Sequence, residues 1–129
     1  MNPTANLLQL LGCRLPVIQA PMAGVQSSRL ALAACRAGAL GSLPAAMLTP
    51  EKLCAELDAL QAGTDQSYNV NFFAHRQPAP DAAQQARWLQ ALMPFYREFG
   101  LSEHAIATGG GRQPFSREQA DIVAAYRIP

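Results

Sequence analysis

Spaced by its apolar positions, the chain falls into short runs alternating with longer amphipathic stretches. Residues 1–15, with Leu7, Leu8, Leu10 and Leu11, lead into the first strand, and Gly12 ends any short helical turn there. Pro16-Val17-Ile18-Gln19-Ala20 has few polar positions and is closed by Pro21 and Gly24, which predicts a strand buried on both faces. Ser27 or Ser28 can cap a small-residue helix through Ala31, Ala34 and Ala37 that stops at Gly38. Ala39 to Leu43 reads as a second strand. Thr49-Pro50-Glu51 then combines a cap, a proline at the first helical position and an acid near the positive end of the helix dipole. Leu53, Leu57 and Leu60 fall on one face of that helix, which Gly63 ends.

Tyr68 to Phe73 predicts a third strand, followed by a polar loop from His75 to Pro80. Asp81 caps a long helix reaching about Phe99, which Pro94 should kink or split. Its Trp88, Phe95 and Tyr96 stand at helical spacing and are expected in the core. Ile106 to Pro114 reads as loop, Ser116 and Gln119 form a capping box for a helix ending near Tyr126, and Ile128-Pro129 looks like the entry to another strand. Alternation of this kind means an α/β fold with a parallel sheet, about three βα units long.

Composition narrows the function classes. Half of the 129 residues are hydrophobic and 15% are charged, so global disorder is excluded. A net charge of +1 leaves no electrostatic footprint for nucleic acid or an acidic membrane. No apolar stretch approaches the ~18 residues of a membrane span, and the start lacks the basic region of a signal peptide. Cys13, Cys35 and Cys54 have no CxxC spacing and suit reduced thiols in a cytoplasmic protein. No Cys/His cluster or paired carboxylates suggest a metal site.

Two segments carry candidate chemistry. Gln19-Ala20-Pro21-Met22-Ala23-Gly24 lies at the C-terminal end of the first strand, where α/β folds bind ligands and small residues let the backbone approach a flat cofactor. Spacing alone favours an ordinary turn. Asn69 and Asn71 share one side of the third strand, and Asn71 lies nearer its ligand end; either could equally bond a neighbouring loop. Gly109-Gly110-Gly111-Arg112 lacks the Lys-Ser/Thr of a phosphate loop and reads as a surface loop. His75 and His104 sit in polar loops and read as solvated.

Leu15-Pro16-Val17-Ile18-Gln19-Ala20-Pro21-Met22-Ala23-Gly24 resembles the opening of nitronate monooxygenases, formerly called 2-nitropropane dioxygenases. Ala37-Gly38-Ala39-Leu40-Gly41, Thr49-Pro50-Glu51-Lys52-Leu53 and Asn69-Val70-Asn71-Phe72-Phe73 match in type and spacing, so the likeness runs from about Leu15 to Pro129. The opening is shared loosely with enoyl reductases and inosine-monophosphate-dehydrogenase-like barrels; the Asn-Val-Asn-Phe-Phe strand favours the nitronate group. The resemblance implies a (β/α)8 TIM-type barrel binding FMN at its C-terminal face, with Pro21, Met22, Ala23 and Asn71 on the flavin. It also implies oxidation of a small alkyl nitronate with O2.

The family's catalytic histidine stands in a glycine-rich segment further downstream, and neither His75 nor His104 occupies that motif. A (β/α)8 barrel takes about 250 residues. The 129 residues are therefore expected to form one partial domain, the N-terminal segment of an incomplete barrel, with little or no turnover. Two alternatives stand beside this: a non-catalytic module that self-associates through exposed strand edges, and part of another FMN barrel oxidoreductase.

Overall fold

The computed structural model describes residues 3–77, 79, 81–102 and 112–128. They fall into two compact units, one of residues 1–75 with 112–129 and a smaller one of residues 76–111.

In the larger unit, helix α1 (Pro3–Leu11) comes first, where the sequence suggested only a leader. Helix α2 (Ser28–Ala37) starts at the Ser27 cap and ends at Gly38, whose φ of 94° lets its N–H reach the Ala34 and Cys35 carbonyls. Strand β1 (Gly41–Pro44) follows, then helix α3 (Pro50–Gly63), capped by the Thr49 side chain on the Lys52 N–H. Strand β2 (Tyr68–Asn71) pairs with β1 in parallel, with Gly41 opposite Tyr68, Ser42 opposite Asn69, Leu43 opposite Val70 and Pro44 opposite Asn71. Helix α5 (Arg117–Tyr126) begins at the Ser116–Gln119 capping box.

Alternation along the strands separates two faces. Leu43, Ala45 and Tyr68 enter the core with Ala31 and Cys35 of α2 and Leu53, Leu57 and Leu60 of α3, while Val70 and Phe72 pack against it. The three α3 leucines are fully buried, each contributing about 2 kcal/mol of apolar transfer. Gly41 lets α2 lie directly on β1, since a Cβ there would overlap the Ala31 carbonyl.

Residues 112–128 close over this core. The Phe115 N–H donates to the Phe73 carbonyl at 2.7 Å, and the Phe115 and Phe72 rings lie 4.6 Å apart. Further along, α5 docks on α3. The Tyr126 hydroxyl donates to Asp58 Oδ1 at 2.8 Å and to the Cys54 carbonyl at 3.2 Å, and Gln61 Nε2 donates to the Tyr126 carbonyl at 2.7 Å. Ile128 packs against the core; Pro129 lies outside the described residues.

Three sequence expectations need correction. The strand predicted over Pro16 to Ala20 is a single parallel bridge, Ile18 to Leu40, and Val17 and Ile18 are more than half exposed rather than buried on both faces. The ladder stops because the main chain leaves the sheet after Gln19, and side chains take over the bonding of Ser42, as described below. Of the kink or split expected at Pro94, the split is absent: helix α4 (Ala82–Glu98) of the smaller unit runs through it. The proline removes one N–H, and the carbonyl it leaves free belongs to Gln90, an exposed residue that water can serve. Nor is the aromatic stripe of α4 core. No residue of α4 is buried, and Trp88 and Phe95 are 60% and 56% exposed. Helical spacing marks an apolar face but does not supply something to cover it.

Candidate functional site at the end of the parallel strands

The sheet face opposite the helices is polar. Ser42 and Asn69 stand side by side on it, and Asn69 Nδ2 donates to Ser42 Oγ at 3.3 Å. Pro44 and Asn71 form the next rung, at the C-terminal end of both strands. Asn71 is half-buried, and its main-chain carbonyl accepts the Ala45 N–H at 3.0 Å, which continues the pairing just past β1.

The segment from Ala20 to Val25 is tied to this face by two glutamines. Gln19 Oε1 accepts the Ser42 N–H at 2.9 Å, and Gln26 Nε2 donates to the Ser42 carbonyl at 2.7 Å. Gln19 Nε2 donates to Gln26 Oε1 at 2.9 Å and also to the Ala20 carbonyl. Gln26 Oε1 further accepts the Met22 N–H at 3.0 Å. Ser42 is fully buried, so both of its backbone polar groups need partners, and the two carboxamides provide them.

Within the segment, Pro21 and Ala23 are half-buried and Met22 is 45% exposed. Gly24 turns the chain with a φ of 84°. The residues proposed from sequence are thus arranged in two parts. Pro21, Met22 and Ala23 sit on a loop bonded to Ser42 through Gln26, and Asn71 shares the sheet face two residues beyond Asn69. Asn69, which the sequence places further from the ligand end than Asn71, has its amide on Ser42 and acts within the scaffold. Gln26 escaped the sequence reading, because a glutamine seven residues after another belongs to no spacing rule.

Other candidates lie elsewhere. His75 is exposed, with its ring 6.1 Å from that of Phe73, and the Arg112 guanidinium lies 5.4 Å from the Phe73 ring centre. His104 and Gly109-Gly110-Gly111 fall outside the described residues. Cys13, Cys35 and Cys54 are free thiols. Among the described residues no three His, Cys, Asp or Glu side chains group as metal ligands, and no helix is long and apolar enough to cross a membrane. The Tyr68 hydroxyl is buried without a partner, and burial followed by the nearby Cys35 raises its pKa. It lies on the helix side of β2, outside the polar face.

Parallel strands with helices on one face and polar side chains on the other form part of a (β/α)8-type barrel, as the solved structures of the same fold show. The fold matches a nitroalkane oxidase from Streptomyces ansochromogenes with a TM-score of 0.73 and 27% identity, covering 95% of this chain and 34% of that one. It also matches FabK from Thermotoga maritima, with a TM-score of 0.59 over 96% of this chain and 28% of that one; at 16% identity this likeness concerns the fold alone.

Residues 4–102 match the family model for nitronate monooxygenase, and the chain belongs to that family. It is 41% identical over 99 residues to a nitronate monooxygenase of Paraburkholderia phytofirmans, covering 77% of this chain and 27% of the relative. It is also 41% identical over 97 residues to one of Pseudomonas aeruginosa, covering 75% and 28%. The chain therefore spans little more than a quarter of the length of these curated relatives.

Proposed function

We propose that these residues form the flavin-ring side of an FMN-dependent nitronate monooxygenase. The observation that carries this reading is the loop Pro21–Ala23, held by Gln26 at the end of the polar strand face that also bears Asn71. The residues fit the ring portion of FMN. A flat, neutral ring with carbonyl and N–H edges calls for small or apolar contacts and uncharged hydrogen-bonding groups. Pro21, Met22 and Ala23 give the first, and the Asn71 carboxamide, both donor and acceptor, gives the second. When bound, FMN supplies the oxidation of an alkyl nitronate, with O2 completing the conversion to a carbonyl compound and nitrite. The chain's own task is to bind and orient the ring.

No base is assigned. His75 is exposed and outside the family's histidine motif, so residues 1–129 alone should show little or no nitrite release. The free thiols fit a reducing, cytoplasmic setting. Titration of the purified chain with FMN tests the cofactor reading: quenching of flavin fluorescence with a saturable curve is expected, and no quenching would overturn it. Nitrite release from a nitronate at rates typical of enzymes would overturn the expectation of low turnover.

The exposed Val17 and Ile18 on the outer edge of the Ile18–Leu40 bridge favour a second reading, self-association of this chain through that edge. Sedimentation velocity over a range of concentrations tests it; a monomer throughout would rule it out.

A further inference from the structure

The residue that organises the first loop lies outside every motif in the sequence. A regular third strand beside β1 would pair its own backbone with the N–H and C=O of Ser42. Here the pairing stops at Ile18 and Leu40, and the Gln19 and Gln26 side chains occupy both ladder positions of Ser42 instead. The main chain is thereby released from the sheet after Gln19 and is free to form the Pro21–Ala23 turn. Gln26 then fixes that turn from the far side, since the same Oε1 that accepts from Gln19 accepts the Met22 N–H. A chain of bonds runs from Met22 through Gln26 to Ser42, whose hydroxyl accepts from Asn69 on the strand that carries Asn71.

We propose that Gln26 is a positioning residue for the cofactor site: its carboxamide replaces strand pairing at Ser42 and sets the conformation in which Pro21, Met22 and Ala23 meet the flavin. This rests on the FMN reading above and adds a residue to it. Gln26 need not touch the flavin; it acts through the loop.

The test uses the full chain with two variants and two readouts: amide hydrogen–deuterium exchange without flavin, and FMN affinity from fluorescence quenching. Gln26→Met keeps the length of the side chain and removes all three hydrogen bonds. It should speed exchange of the Met22 amide at least tenfold and weaken FMN binding about tenfold, while the amides of α3 exchange as before. Gln26→Glu keeps the acceptor for Met22 and Gln19 but presents a second acceptor to the Ser42 carbonyl. It should protect Met22 better than Gln26→Met does and bind FMN with intermediate affinity. Unchanged Met22 exchange in Gln26→Met overturns the proposal, and so does faster exchange with unchanged FMN affinity. If Gln26→Met does not fold, Gln26→Glu decides, and wild-type FMN affinity in that variant overturns the proposal. The unsubstituted chain is titrated first. Failure to bind there overturns the FMN reading together with the proposal, whereas failure confined to the variants concerns Gln26 alone.

Discussion

The two faces of the β1–β2 pair obey different rules although they are built from alternate residues of the same eight positions. On one, Leu43, Tyr68 and Val70 meet the leucines of α3, and packing density decides what is tolerated. On the other, Ser42, Asn69 and Asn71 meet a loop, and hydrogen-bond geometry decides. Stability should therefore reside on the helix side and ligand recognition on the polar side.

The largest effect should follow from cutting into the helix side. Leu57→Ala removes a fully buried side chain and should cost about 3 kcal/mol, read from urea unfolding, with the cavity cost included. A loss below ~1 kcal/mol would mean that the core collapses around the gap. Thr49→Ala should cost about 1 kcal/mol, because the Lys52 N–H loses the side chain that caps α3.

Smaller still is a pH effect on the α3–α5 contact. The hydrogen bond to Asp58, with burial and the Cys54 contact adding to it, raises the Tyr126 pKa above its ordinary value. A raised folded-state pKa gives stability that is complete below the unfolded value, about 10 for tyrosine, and is lost as pH rises through the folded one. The urea midpoint of the unsubstituted chain should thus fall above about pH 10 more steeply than that of Tyr126→Phe; parallel curves would show that the bond does not form.

The smallest stability effect belongs to the polar side. Asn71→Ala should change unfolding by less than ~0.5 kcal/mol and yet weaken FMN binding about tenfold. A large stability loss with unaltered flavin affinity would reverse the assignment of the two faces.

Local chemistry made much of this legible in the sequence. Ser27, Thr49, Asp81 and Ser116 are caps where their residue types and spacing say, and Gly38 ends its helix for the conformational reason glycine is used there. The i, i+4, i+7 spacing of Leu53, Leu57 and Leu60 located the core. What periodicity could not convey was partnership. Pro16 to Ala20 has the composition of a buried strand but pairs through one bridge, because the Ser42 backbone is taken by side chains from further along the chain. The aromatic stripe of α4 has the spacing of a packed face, yet Trp88 and Phe95 are exposed and Tyr96 is only half-buried. The turn after Gln19 was legible from Pro21 and Gly24, while the bonds of Gln26 were not, since they exist only once the chain has turned back on Ser42.

Glu56 adds a constraint on where a phosphate can go. Its Oε2 accepts the Ser28 N–H at 2.6 Å, which places an α3 carboxylate against the first turn of α2. The start of a helix ordinarily attracts anions. At α2 that attraction is already answered from within the protein, and an incoming phosphate would meet a fixed negative charge instead of open amides. The N-terminus of α2 lies directly after the Pro21–Gly24 loop, so on the FMN reading proposed above the phosphate of the cofactor should be held by other parts of the protein than this helix start.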